Sequence, residues 1–173
     1  MRAVVVGGGI GGLCAAIALQ RKGVEALVLE RAARLDAGGS GIGLARNALG
    51  ALEQLGVAEA VRARGAPAER GVSRTWRGEV LTDLAWGGVS IHRADLQATL
   101  LEALGPECVR LGTECAGFEQ DAAGVTAQLA DGSEERGDVL VGADGLHSMV
   151  RAHLVARQDL RYSGATSWRG RQG

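Results

Sequence analysis

Ten residues near the start of the chain, Ala3-Val-Val-Val-Gly7-Gly8-Gly9-Ile10-Gly11-Gly12, restrict its fold more than any other stretch. Ala3–Val6 is a short apolar run with β-branched residues and no polar break, the signature of a buried strand. Gly7-x-Gly9-x-x-Gly12 follows at once, and Leu13 to Arg21 continues with a helical pattern. A strand feeding a glycine turn feeding a helix aims bare backbone amides and a helix N-terminus at a pyrophosphate. Gly7 permits the tight turn, Gly9 lets phosphate approach the backbone, and Gly12 lets helix and strand pack closely. A second β-rich run, Glu25-Ala-Leu-Val-Leu-Glu30, ends in an acid about 20 residues past the glycines, where a ribose hydroxyl needs an acceptor. Gly7, Gly9, Ile10, Gly11 and Gly12 are therefore the expected pyrophosphate contacts, with Glu30 on the ribose and Arg31 as a phosphate or ribose cation.

The remaining sequence supplies helices and strands around that unit. Leu44, Ala48, Leu52 and Leu55 recur at helical spacing between the irregular, glycine-rich passage 31–43 and Gly56. Residues 70–91 alternate weakly and read as short strands or a hairpin. Arg93 to Leu104 is an amphipathic helix with Leu96, Leu100, Leu101 and Leu104 on one face, stopped by Gly105-Pro106. Three β-like runs follow, at 108–111, 115–120 and 125–129, joined by turn signals at 121–124 and followed by another at Asp131-Gly132. A buried strand is expected over 138–141 and a helix over about 146–154. These patterns predict an α/β fold: a Rossmann-like parallel sheet with an inserted β-meander near 108–130.

Composition narrows the function classes. The formal net charge is −1 and Lys22 is the only lysine, so nothing calls for nucleic acid or a membrane surface. The uncharged run 3–19 is interrupted by glycines that fit a strand-turn-helix, which argues against a signal peptide or a membrane span. Cys14, Cys108 and Cys115 lack metal or disulfide spacing and read as buried hydrophobes in a reducing compartment; the expected location is cytoplasmic. No histidine cluster suggests a metal.

Taken in order, four motifs resemble the FAD-dependent aromatic hydroxylases, the single-component flavoprotein monooxygenases typified by para-hydroxybenzoate and salicylate hydroxylases. They are Gly7–Gly12 with Glu30-Arg31, Gly41-Ile-Gly-Leu-Ala-Arg-Asn47-Ala-Leu, Ile91-His-Arg93-Ala-Asp-Leu96, and Gly142-Ala-Asp144-Gly145-Leu-His-Ser148-Met-Val-Arg151. The stretch from Tyr162 to Trp168-Arg169-Gly170 is similar to the strand with which such enzymes enter their substrate sheet. The second motif departs from the family, which commonly has a proline where Arg46 stands.

The resemblance implies FAD as cofactor, NADPH or NADH as reductant and a small aromatic substrate. It adds Arg93 and Asp144 to the cofactor-binding residues. Family members continue into a second Gly-Asp motif and a completed substrate domain; Gly137-Asp138 is not that motif, because a strand follows it and it precedes Asp144. The chain thus corresponds to an N-terminal portion, with an FAD-binding domain at 1–158 and the start of a substrate domain at 159–173. Self-association through uncovered strand edges is expected. Two alternatives stay open at this point: a non-catalytic flavin-binding module that needs a partner chain, and a nicotinamide dehydrogenase with a plain Rossmann domain.

Overall fold

The computed structural model describes residues 1–35, 40–155 and 159–166. In chain order, β1 (Arg2–Val6), α1 (Ile10–Gln20) and β2 (Glu25–Leu29) form the opening unit. Next come β3 (Gly41–Leu44), α2 (Arg46–Gln54), α3 (Ala58–Arg64), β4 (Ala66–Arg74), β5 (Val80–His92) and α4 (Arg93–Leu104). A 3₁₀ turn at Pro106–Cys108 leads into β6 (Val109–Arg110). The meander and the closing elements are β7 (Cys115–Asp121), β8 (Gly124–Leu129), β9 (Glu134–Gly137), β10 (Val139–Gly142) and α5 (Met149–Val155). The chain divides into two compact units, one from the described residues of 1–36 and 100–169, the other from those of 37–99.

The first unit carries a four-stranded parallel sheet in the order β10-β1-β2-β6. Parallel strands covered on both faces read as unbroken apolar runs, and Ala3 to Val6 are all buried. Val4, Val6 and Leu29 face a core shared with Phe118, Val125, Ala127 and Leu129 of the antiparallel sheet β7-β8-β9, and with Val150 of α5. Side chains alternate along a strand, so Val5 and Val28, which pair in register, belong to the opposite face. α1 packs against β1 and β2 and buries Leu13, Ala16 and Ile17, one face of a helix. An ion network ties the meander to the parallel sheet: Glu135 accepts from Arg2 at 3.0 Å and also from Arg110, while Arg2 reaches Glu25 at 3.0 Å.

The second unit is the antiparallel sheet β3-β5-β4 with α2 and α3. Its core is built from Leu44, Leu49, Leu52, Val61, Val89 and Ile91. Gly43 carries no side chain because the Trp86 ring occupies the space where one would lie. Arg62 links α3 to α2 through Glu53 at 2.6 Å.

Several expectations need correction. The run 108–111 joins the parallel sheet through β6 instead of the meander, which occupies 115–137. The passage 31–43 is not irregular throughout, since Gly41–Leu44 is a strand paired to β5. The last helix begins at Met149, after a turn, rather than at 146. Trp168, Arg169 and Gly170 lie outside the described residues.

Candidate functional site

The carboxyl ends of three parallel strands converge on the glycine turn. Gly7, just past β1, has φ +107°, a conformation that side chains rarely adopt. Its amide donates to the Leu29 carbonyl at the end of β2 (2.8 Å), and a methyl group on it would overlap the Ala143 carbonyl after β10. The Ala143 amide in turn donates to the Val6 carbonyl at 2.8 Å. This is the crevice outside the strand ends where open α/β sheets take their ligands.

The glycines divide the work. Gly12 is buried, and a methyl there would overlap the Gly7 carbonyl, so its smallness closes the turn against α1. Gly9 and Gly11 face open space. Gly9 is the N-cap of α1 and has no side chain to cap the helix, and the first turn contains no acid. The first intrahelical bond runs from the Leu13 amide to the Gly9 carbonyl (3.0 Å), so the helix opens with donors that its own backbone does not fill. Bare amides, a positive dipole end and room beside Gly9 fit the pyrophosphate of a dinucleotide.

Glu30 is held against that turn. One carboxylate oxygen accepts the Gly8 amide at 2.6 Å and the other accepts the Ala32 amide at 2.8 Å. A carboxylate offers about four lone-pair positions, so acceptor capacity for a ribose hydroxyl remains. Arg31 is exposed beside it and lines the same cleft.

Asp144 secures the opposite wall. It accepts the Ser148 hydroxyl (2.6 Å) and the amides of Met149 (2.6 Å) and Val150 (3.1 Å), which fixes the start of α5. Ser148 accepts from the Arg151 amide at 2.9 Å, and the Arg151 guanidinium donates to the Leu146 carbonyl at 2.7 Å. Burial pushes the Asp144 carboxyl up, but the bonds from Ser148, Val150 and Met149 outweigh it and hold the group below the usual carboxylate range. Ser148 and Arg151 thus order this turn. Burial, with the Asp144 charge in addition, pushes the nearby Cys115 thiol up.

The resulting cleft has a volume of about 290 Å³. Of the expected residues, Gly7, Gly9, Glu30, Arg31 and Asp144 line it together. Ile10, Gly11 and Gly12 form the first turn of α1 without lining it. Arg93 is exposed at the first position of α4 and belongs to the other unit. The sequence did not flag Thr113, Glu114, Cys115, His147 or Met149 as cleft residues, although all five line it. Thr113 arrives there because its amide donates to the Glu30 carbonyl at 2.9 Å, a long-range bond with no sequence signal. Among the described residues no group of His, Cys, Asp or Glu is placed to hold a metal, and no helix is long and apolar enough to cross a membrane.

With this geometry in hand, comparison with known proteins is specific. Residues 1–164 match the FAD binding domain family. The chain is 42% identical over 176 residues to the aurachin C monooxygenase/isomerase of Stigmatella aurantiaca, covering 96% of this chain and 46% of that protein. It is 39% identical over 184 residues to 3-hydroxybenzoate 6-hydroxylase 1 of Aquipseudomonas alcaligenes, with coverage of 96% and 46%. The crystal structure of Klebsiella pneumoniae HpxO complexed with FAD and uric acid superposes with a TM-score of 0.83 at 32% identity, over 93% of this chain and 43% of that one. The chain therefore spans about half the length of the curated relatives it matches.

Proposed function

The chain belongs to the FAD-binding domain family, and from that premise we propose that it forms the flavin-holding part of a cytoplasmic monooxygenase that hydroxylates a small aromatic substrate, with NADPH or NADH as reductant. The single observation that carries this reading is the juxtaposition of an open Gly9 at the start of α1 with the Glu30 carboxylate in one cleft. The relatives' names, monooxygenases and a hydroxylase, support the reaction class.

When bound, the flavin supplies the redox and oxygen chemistry. The chain's own residues bind and orient it. The amides that open α1 face the pyrophosphate, and Glu30 accepts from the adenosine ribose while disfavouring a second phosphate there by like-charge repulsion. Arg31 contributes a charge-assisted bond to a phosphate or ribose oxygen. Val6, Leu29 and Met149 give the cleft apolar surface that limits water. Asp144 acts through the turn it anchors, keeping the wall in place. Arg93 is assigned to the cofactor by family resemblance alone.

A second reading is a flavin-holding module that works only with a partner chain. Oxidation of NADH or NADPH by the FAD-loaded protein, followed with oxygen uptake over a panel of phenolic acids, separates the two. Substrate-dependent oxidation with hydroxylated product supports the enzyme. Bound flavin without oxidation under any condition favours the module.

A further inference from the structure

A second groove lies in the first unit and shares no lining residue with the cofactor cleft. The β7–β8 turn, β10 and α5 frame about 380 Å³ there, within the size range of ligand clefts. Phe118, buried, and Leu140, half-buried, line it. Val139 and Leu154 line it too and remain 39% and 64% exposed. Exposed apolar side chains continuous with an apolar groove mark an interaction surface. The described lining carries two acids, Asp121 and Asp138, and no basic side chain.

The β4–β5 ribbon of the second unit carries a group of matching chemistry. Trp76 lies exposed in the turn between the two strands, with the Arg77 guanidinium over its ring, 4.7 Å from the centroid. That cation–π contact keeps a positive charge beside the indole. Tryptophan and arginine are prominent among the residues that anchor an interface by filling a pocket on the partner. We propose that the Trp76–Arg77 end of one copy of this chain docks in the groove of a second copy. The indole packs against Phe118, Leu140 and Leu154, and the guanidinium pairs with the Asp121 and Asp138 carboxylates.

Charge selects this occupant. Residues 74–79 carry Arg74 and Arg77 against Glu79 alone, so two ribbon ends set face to face repel each other. The groove offers the opposite sign. Asp121 accepts the Ala123 amide at 2.7 Å and lies 3.8 Å from Arg136, a solvent-exposed pair of little strength. Asp138 accepts the Arg2 amide at 2.6 Å, with the N-terminal ammonium 3.9 Å away. Each carboxylate keeps acceptor capacity for a guanidinium. Ribbon end and groove are unlike surfaces, so a singly docked pair still presents one of each.

That asymmetry supplies the test. Sedimentation velocity is run over a range of concentrations on wild type, Trp76→Ala, Leu154→Arg and an equimolar mixture of the two variants, with circular dichroism as the check on folding. Wild-type mass should rise with concentration, and each variant alone should associate about tenfold or more weakly. The mixture should form a two-chain complex, because Trp76→Ala keeps an intact groove and Leu154→Arg an intact ribbon end. Arg77→Glu, a second ribbon variant, should weaken association most at low salt. A wild type that stays monomeric overturns the proposal. So does a folded Leu154→Arg that associates like wild type, which would mean that ribbons pair with ribbons. A mixture that remains monomeric also overturns it.

Discussion

The Glu30 carboxylate accepts the amide of Gly8, 22 residues earlier in the chain, at 2.6 Å. The end of the second strand therefore holds the glycine turn in shape before any ligand arrives. Charge-assisted bonds of this kind contribute about 1.5–3 kcal/mol, with partly exposed ones toward the low end. Glu30→Gln turns one carboxylate oxygen into a donor that would face an amide donor. We expect FAD affinity to fall about tenfold or more and the Gly8 and Ala32 amides to exchange faster in the flavin-free protein, measured by hydrogen exchange. Unchanged exchange would leave Glu30 with a ligand role only.

Gly9 and Gly12 should respond in opposite ways to the same substitution. Gly9 has φ −70° and nothing within 4 Å of the place a methyl group would take, so Gly9→Ala should keep its melting temperature while weakening FAD binding. Gly12→Ala drives a methyl into the Gly7 carbonyl and should cost about 1–3 kcal/mol or more of stability. Thermal melts of the flavin-free variants check this; equal losses would contradict the division of roles.

Acid should destabilise the fold through Asp144 and Glu135. Burial pushes Glu135 up, but its bonds to Arg110 and Arg2 outweigh it and leave the group below the usual range, as Asp144 is. A carboxyl whose folded pKa is depressed contributes stability above its unfolded value, and that contribution disappears as pH falls through the folded value. Unfolding free energy should therefore decline as pH drops below about 4. Asp144→Asn, less stable at pH 7, should show a shallower decline. A parallel decline in variant and wild type would exclude Asp144 as a source.

The outer half of β5 should drive self-association. Leu81 and Leu84 are each 64% exposed, and Trp76 at the tip of the ribbon is 88% exposed. Exposed apolar side chains on a two-stranded ribbon invite pairing with another chain. Light scattering should give a mass that rises with concentration, reduced in the double variant Leu81→Lys, Leu84→Lys. A constant monomer mass in wild type would count against it.

Much of this fold was legible because its signals are local. The apolar run Ala3–Val6 marks a strand buried on both faces, and Leu96, Leu100 and Leu104 place α4 over Arg93–Leu104 as found. The strands over 70–91 appear as the hairpin β4–β5. What stayed hidden was partnership at long range. Val109–Arg110 is too short for its pattern to say which sheet it joins. Two glycines mask β3, charge masks β9 at Glu134–Gly137, and α3 is a seven-residue helix rich in Ala and Arg. In the site, Glu30 and the glycines followed from spacing. Thr113, Glu114 and His147 did not, because tertiary hydrogen bonds and an anchored turn bring them to the cleft.

Flavin retention tests the central claim most directly. Purified protein is incubated with FAD, desalted, and its visible absorption recorded beside Gly9→Asp, whose carboxylate would sit where the pyrophosphate is expected. The account predicts a flavin band near stoichiometry in wild type and its loss in Gly9→Asp, with circular dichroism unchanged between them. A folded wild type that retains no flavin, or a Gly9→Asp variant that retains it equally well, would contradict the assignment of the glycine cleft to FAD.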